Sequence, residues 1–142
     1  MRTVSYLPAG RYYVGDLCYV MSSEWDEVCK LTIKGAECLS GQFQLSDGRK
    51  FAMFTTKWGD GLYKAGSSEF CVDSGSIGCI KVSDITNPDE VDMRRLGGIF
   101  DFDESFVVYS DDGIIRFGYM LINTDPDEFY DDEEEETDYE DA

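Results

Sequence analysis

The sequence predicts a mainly β fold of the α+β kind, an antiparallel sandwich or small barrel with one short helix, followed by a disordered acidic tail. Three observations lead there. Short runs rich in β-branched and aromatic residues recur through residues 1–124, punctuated by Gly and Asp at roughly eight- to twelve-residue intervals, as in antiparallel sheets. Two of the links between runs carry an Asp-Gly pair, the strongest short-range hairpin signal. Charge is lopsided: twelve of the thirty acidic residues fall in 125–142, a stretch with no Lys or Arg.

Strands are expected over 3–7, 11–14, 42–45, 50–55, 70–72, 77–82, 98–102, 105–110 and 114–122, each a β-prone run bounded by turn residues. Asp47-Gly48 and Asp112-Gly113 supply the positive φ values of primed turns. The acidic link Asp101 to Glu104 is expected to fold one strand back on the next, so that the last three runs form a meander. The helix starts at Ser22 or Ser23, whose hydroxyl can cap free amides, and runs to Leu31 with Glu24, Asp26 and Glu27 early, as the macrodipole prefers. Trp25, Val28, Cys29 and Thr32 share one face at helical spacing and make that helix a lid on the sheet. A shorter helical turn is expected after Asn87-Pro88, ending at Gly97. The domain boundary falls near Thr124, with 1–124 as one globular domain and 125–142 as the tail.

Composition narrows the function classes. The 142 residues include nine Phe, nine Tyr and two Trp, enough apolar surface for one real core. Of the net charge of -18, the tail contributes twelve, because the body sets eighteen acids against twelve basic residues. A polyanion of this kind is repelled by nucleic acid and anionic membranes, so neither is an expected partner. The five cysteines, Cys18, Cys29, Cys38, Cys71 and Cys79, are odd in number and lack C-x-x-C spacing, and His is absent. They are expected to be small buried hydrophobes without structural disulfides. No signal-peptide-like run opens the chain and no long apolar stretch occurs, which predicts a cytoplasmic protein.

Three Asp residues stand beside glycine or small residues: Asp16, Asp60 and Asp73. Brought to one rim they would form an oxygen site for a divalent ion, or a carboxylate pair for acid–base work. Asp beside Gly is also the ordinary composition of a tight turn, its carboxylate bonding a nearby amide. Ser74 and Ser76 raise the thought of a nucleophile, but without His only Lys57, Lys64 or Lys81 remains as a base. The Gly75–Gly78 stretch runs into a strand rather than a helix, against a phosphate loop. Cys71 and Cys79 fall in alternating strand patterns, and without His little activates them.

The tail departs furthest from an average protein. Asp131, Asp132, Glu133, Glu134, Glu135 and Glu136 are six successive like charges, which oppose compaction. Extended at roughly 3.4 Å per residue, the tail carries about two thirds of the linear charge density of one DNA strand. Phe129 and Tyr130 precede the acid run and can anchor it in an apolar pocket while the carboxylates meet Lys or Arg.

The block Gly10-Arg11-Tyr12-Tyr13-Val14-Gly15-Asp16-Leu17-Cys18-Tyr19-Val20, with Gly59-Asp60-Gly61 and Val72-Asp73-Ser74-Gly75 after it, resembles a family of small uncharacterised proteins from bacteria and their phages. Leu17 stands where that family carries Pro. The resemblance covers roughly residues 10–80 and implies no activity, though it implies that the three Asp loops are neighbours. The sequence therefore points to a non-enzymatic, phage-encoded interaction or inhibitor protein. Residues 129–136 would mimic nucleic acid on a basic surface of a host nucleic-acid-binding or defence protein, with no cofactor and no metal. The alternative is a small enzyme or a ligand- or metal-binding domain using Asp16, Asp60 and Asp73. A virion or assembly component, recognisable by self-association, is a third reading.

Overall fold

The computed structural model describes residues 4–65, 68–86 and 97–124. In chain order these form β1 (Ser5–Leu7), β2 (Gly10–Gly15), α1 (Trp25–Thr32), β3 (Ile33–Lys34), β4 (Glu37–Cys38), β5 (Gly41–Gln44), β6 (Lys50–Thr55), β7 (Gly61–Ala65), β8 (Ser68–Val72), β9 (Ser76–Lys81), β10 (Gly98–Phe102), β11 (Phe106–Asp111), β12 (Ile114–Phe117) and β13 (Met120–Asn123). Two antiparallel sheets dominate, ordered β1-β11-β12-β13 and β10-β2-β9-β6-β5, and β3-β4 and β7-β8 are separate hairpins. Both large sheets are open, so the fold is not a closed barrel. The helical turn expected after Asn87 and the acidic tail lie outside the described residues.

Alternation along the central strands explains the layering. On β6, Ala52 and Phe54 point into a core shared with the four-stranded sheet, while Phe51 and Met53 point to the opposite face. On β2, Tyr12 and Val14 face the shared core and Tyr13 faces away. With both faces covered, these strands read as unbroken apolar runs. The outer face is closed by Val28 of α1 and by Leu17, Val20 and Met21 in the turns before it, so α1 is the lid its apolar face predicts.

The start of α1 differs from expectation. A 3₁₀ turn at Ser22–Glu24 precedes it, and neither serine hydroxyl caps it. Its early acids have specific partners instead: Glu24 pairs with Arg49 at 2.7 Å and Glu27 accepts the Ser46 amide at 2.6 Å. Both bonds pin the helix to the β5–β6 hairpin.

One turn expectation holds and three need correction. At Asp112-Gly113 both residues have positive φ, 53° and 87°, and Asp111 pairs with Ile114, the two-residue primed turn. At Asp47-Gly48 only the glycine does, and Asp47 instead accepts the Arg49 amide within a longer loop. The run 114–122 is two strands, because Gly118 at φ +62° turns the chain so that Phe117 faces Met120. β10 and β11 do not pair: β10 lies beside β2 and β11 beside β1 and β12, so the acidic link carries the chain from one sheet to the other. The final meander is β11-β12-β13.

The thiols are also less buried than composition suggests. Cys79 is buried, Cys18, Cys29 and Cys71 are intermediate and Cys38 is exposed, all five free. Burial pushes the Cys79 thiol and the Tyr12 and Tyr13 phenols well above their ordinary values. These groups stay neutral in the folded state but ionise at about pH 9 to 10 once the chain unfolds. Their stabilising contribution is complete below the unfolded values and is lost as pH rises towards the folded ones. The melting temperature should therefore fall progressively above about pH 9, from these groups' ordinary values. Thermal denaturation followed by circular dichroism checks this, and a constant value up to about pH 11 would contradict it.

Candidate functional site

The three Asp loops converge. β2 ends at Gly15, and Asp16 follows in extended conformation at the head of a 3₁₀ turn, Leu17–Tyr19, accepting the Cys18 amide at 2.9 Å. The β8–β9 turn comes to it: Oδ2 of Asp16 accepts the Asp73 and Ser74 amides, each at 2.6 Å. Oδ1 accepts the Ser74 hydroxyl at 2.7 Å, and Ser74 Oγ lies 2.9 Å from Ser76 Oγ. Thr56 ties in the third loop, its amide donating to the Gly75 carbonyl at 3.0 Å and its hydroxyl to the Gly59 carbonyl at 2.7 Å. Asp60 Oδ1 then lies 3.8 Å from where a side chain on Gly75 would begin.

Proximity has not made the three carboxylates equivalent. Asp16 is fully buried, and its two oxygens receive three amides and a hydroxyl, about the full lone-pair capacity of a carboxylate, with the Cys18 thiol beside them as a weaker donor. It is the clamp that holds the turns together, which leaves no oxygen for a metal or for proton transfer. Asp60 and Asp73 are exposed on the same rim. Among the described residues, no group of three or more His, Cys, Asp or Glu is placed to hold a metal ion.

The nucleophile candidates fare no better. Ser74 spends its hydroxyl on Asp16. Lys57 pairs with Asp112 at 2.7 Å and Lys64 reaches Glu69 at 3.8 Å, while Lys81 sits at the opposite end of β9. Burial, the hydrogen bond to Asp16 and the nearby charges of Asp16, Asp73 and Asp60 push the Cys18 thiol far up, away from a reactive thiolate. Cys71 accepts a weak bond from the Tyr19 hydroxyl at 3.7 Å.

Two features beyond the motif residues flank this framework. Trp58, Asp60, Gly61, Leu62 and Tyr63 line a hollow of about 210 Å³, with Leu62 half exposed. A second hollow of about 260 Å³ lies between the β10–β11 link and the β12–β13 turn. The sequence offered one sign of the latter, the alternation of Phe and acid in Phe100-Asp101-Phe102-Asp103-Glu104-Ser105-Phe106. The aromatic-anchored acid run Phe129 to Glu136 lies outside the described residues; the last one described, Thr124, is buried and fixed by its amide to the Gly113 carbonyl at 2.8 Å.

Comparison with known proteins returns no similarity to set beside this geometry: no family model, no curated protein and no solved structure matches the chain. No helix among the described residues is long and apolar enough to cross a membrane.

Proposed function

We propose that this protein is a non-enzymatic acidic inhibitor that takes the place of a nucleic-acid backbone on a basic surface of a host protein. The observation that carries the reading is the concentration of twelve carboxylates, with no cation among them, in the eighteen residues after Thr124. Such a segment attracts a cationic groove over a Debye length of about 8 Å at physiological salt and speeds encounter with it. Asp131 to Glu136 supply the charge, and Phe129 and Tyr130 the apolar anchors. Two features of the body support this reading. Thr124, the residue before the acidic segment 125–142, is bolted to the β11–β12 turn and accepts the Lys57 amide at 3.0 Å, so the segment follows a fixed point. Asp16, on which the enzyme alternative depended, is consumed by structure. On this reading the protein is phage-encoded and its target is a host nucleic-acid-binding or defence protein.

The test uses the full chain and a full-length variant with the twelve acids of 125–142 changed to Asn and Gln. Host proteins retained by the wild type are assayed for binding a labelled DNA duplex. The wild type should displace the duplex, with affinity falling steeply as salt rises, and the variant should lose at least about tenfold. Displacement that survives neutralisation, or simultaneous binding of duplex and protein, overturns the reading.

A further inference from the structure

The hollow between the β10–β11 link and the β12–β13 turn has an aromatic floor and an anionic rim. The Phe102 and Phe106 rings are stacked with centroids 3.8 Å apart, and Tyr119 is tilted across Phe102 at 5.0 Å. Both phenylalanines are buried, whereas Tyr119 is 66% exposed, a large aromatic face left in water. Asp103 and Glu104 stand exposed on the rim, and among the described residues neither has a Lys or Arg within ion-pair distance. Asp101, the third carboxylate, is already held by Arg11 at 2.8 Å.

This arrangement is rigid before anything binds. Tyr12 packs edge-on against both stacked phenylalanines at 5.8 and 5.0 Å. The Tyr119 hydroxyl donates to the Asp101 carbonyl at 3.2 Å. Gly118, at φ +62°, lets the turn lie against the stack, since a Cβ there would fall 2.8 Å from the Phe102 ring. Partial burial and the Asp101 and Asp103 charges hold the Tyr119 phenol above its ordinary value, so it remains a neutral ring and a donor.

An anion is repelled by this rim, and a neutral apolar group leaves two carboxylates unused. A compact, strongly hydrated ammonium makes little use of a flat ring. A guanidinium satisfies both features at once, because it is planar, weakly hydrated, stacks on aromatic faces and forms paired bonds to carboxylates. We infer that this hollow receives an arginine side chain of a basic partner protein, its guanidinium lying on Tyr119 and pairing with Asp103 and Glu104. The inference rests on the proposed function only for the partner's basic character. It adds a contact made by the folded body, where geometry rather than charge density alone selects the partner.

The probe is a short blocked peptide of alternating glycine and arginine, with a glycine–lysine peptide as control, titrated into the isotope-labelled full chain and followed by amide shifts. To remove competition from 125–142, the titration is repeated on the full-length variant with its twelve tail acids neutralised. In that variant the arginine peptide should shift residues 101–106 and 118–119 saturably, and bind at least about fivefold more tightly than the lysine peptide. Asp103→Asn with Glu104→Gln, both on the surface and so without effect on folding, should weaken it about tenfold, as should Tyr119→Leu. Shifts scattered over all surface carboxylates, equal binding of the two peptides, or unchanged affinity in either variant overturns the inference. Absence of shifts at 101–106 and 118–119 in the neutralised variant, with wild-type duplex displacement lost on neutralisation, would sink the hollow and leave the inhibitor reading standing. Binding in the hollow together with duplex displacement that survives tail neutralisation would do the reverse.

Discussion

Asp16→Ala is expected to lower unfolding stability by about 3–5 kcal/mol, among the largest effects of any single side-chain change in this molecule. The carboxylate is fully buried and accepts the amides of Cys18, Asp73 and Ser74 together with the Ser74 hydroxyl. Alanine removes the acceptor and leaves all four donors, and an unsatisfied buried donor costs roughly 1–3 kcal/mol. Their part-buried positions let water rescue some of them, which keeps the total below the sum. Asp16→Asn is the informative companion. It preserves shape and one carbonyl oxygen but turns an amino group towards backbone donors, so about 2 kcal/mol should be lost. Urea unfolding midpoints at constant slope measure both. A loss below about 1 kcal/mol for the alanine variant would contradict the clamp and return Asp16 to the pool of functional residues.

The strands were legible because their periodicity is local, whereas the role of Asp16 was not because its partners lie far along the chain. Lys50–Thr55 and Gly98–Phe102 were readable to the residue, since β-branched and aromatic runs ended at polar punctuation. What β10 pairs with was not readable. A short acidic link is compatible with a hairpin and with a crossover, and the choice is made by β2, nearly ninety positions away, whose Tyr13 faces Ile99. Missing the Gly118 turn has a different cause. Phe117 and Met120 are both apolar and inward yet three positions apart, so the alternation shifts by one across a two-residue loop that glycine permits at its first position, and the apolar and aromatic residues Phe117, Tyr119 and Leu121 in and around it make the run look continuous. Asp16, Asp60 and Asp73 stood out by composition, and their loops do meet. Composition could not separate the buried clamp from the two surface carboxylates, because that distinction depends on amides delivered by the β8–β9 turn. The aromatic hollow draws Tyr119 and the Phe102–Phe106 stack from separate hairpins, so only its acid–Phe alternation was visible beforehand.

The second large effect is expected from Gly78→Ala, and it tests how the site's framework is laid on the sheet. Gly78 sits on β9 between Gly15 of β2 and Met53 of β6, at the centre of the five-stranded sheet. Its backbone takes no unusual torsion, so the argument is one of space. A Cβ there would fall 2.2 Å from the Ala52 carbonyl oxygen and 2.8 Å from Leu17 Cδ1. Leu17 is fully buried and belongs to the turn that Asp16 heads, so the missing side chain is what lets that turn lie flat on β9. Overpacking a core with a methyl group commonly costs about 1–3 kcal/mol. Here the nearer obstacle is backbone in a paired central strand, which cannot rotate away, and the expected loss exceeds about 3 kcal/mol or prevents folding. Leu17→Ala combined with Gly78→Ala separates the two contacts. It relieves the side-chain collision but not the carbonyl, so the double variant should remain far less stable than Leu17→Ala alone. Chemical denaturation and yield of soluble protein measure the set. If the double variant matched Leu17→Ala within about 0.5 kcal/mol, the carbonyl contact would carry none of the cost and β9 would have room to shift within the sheet.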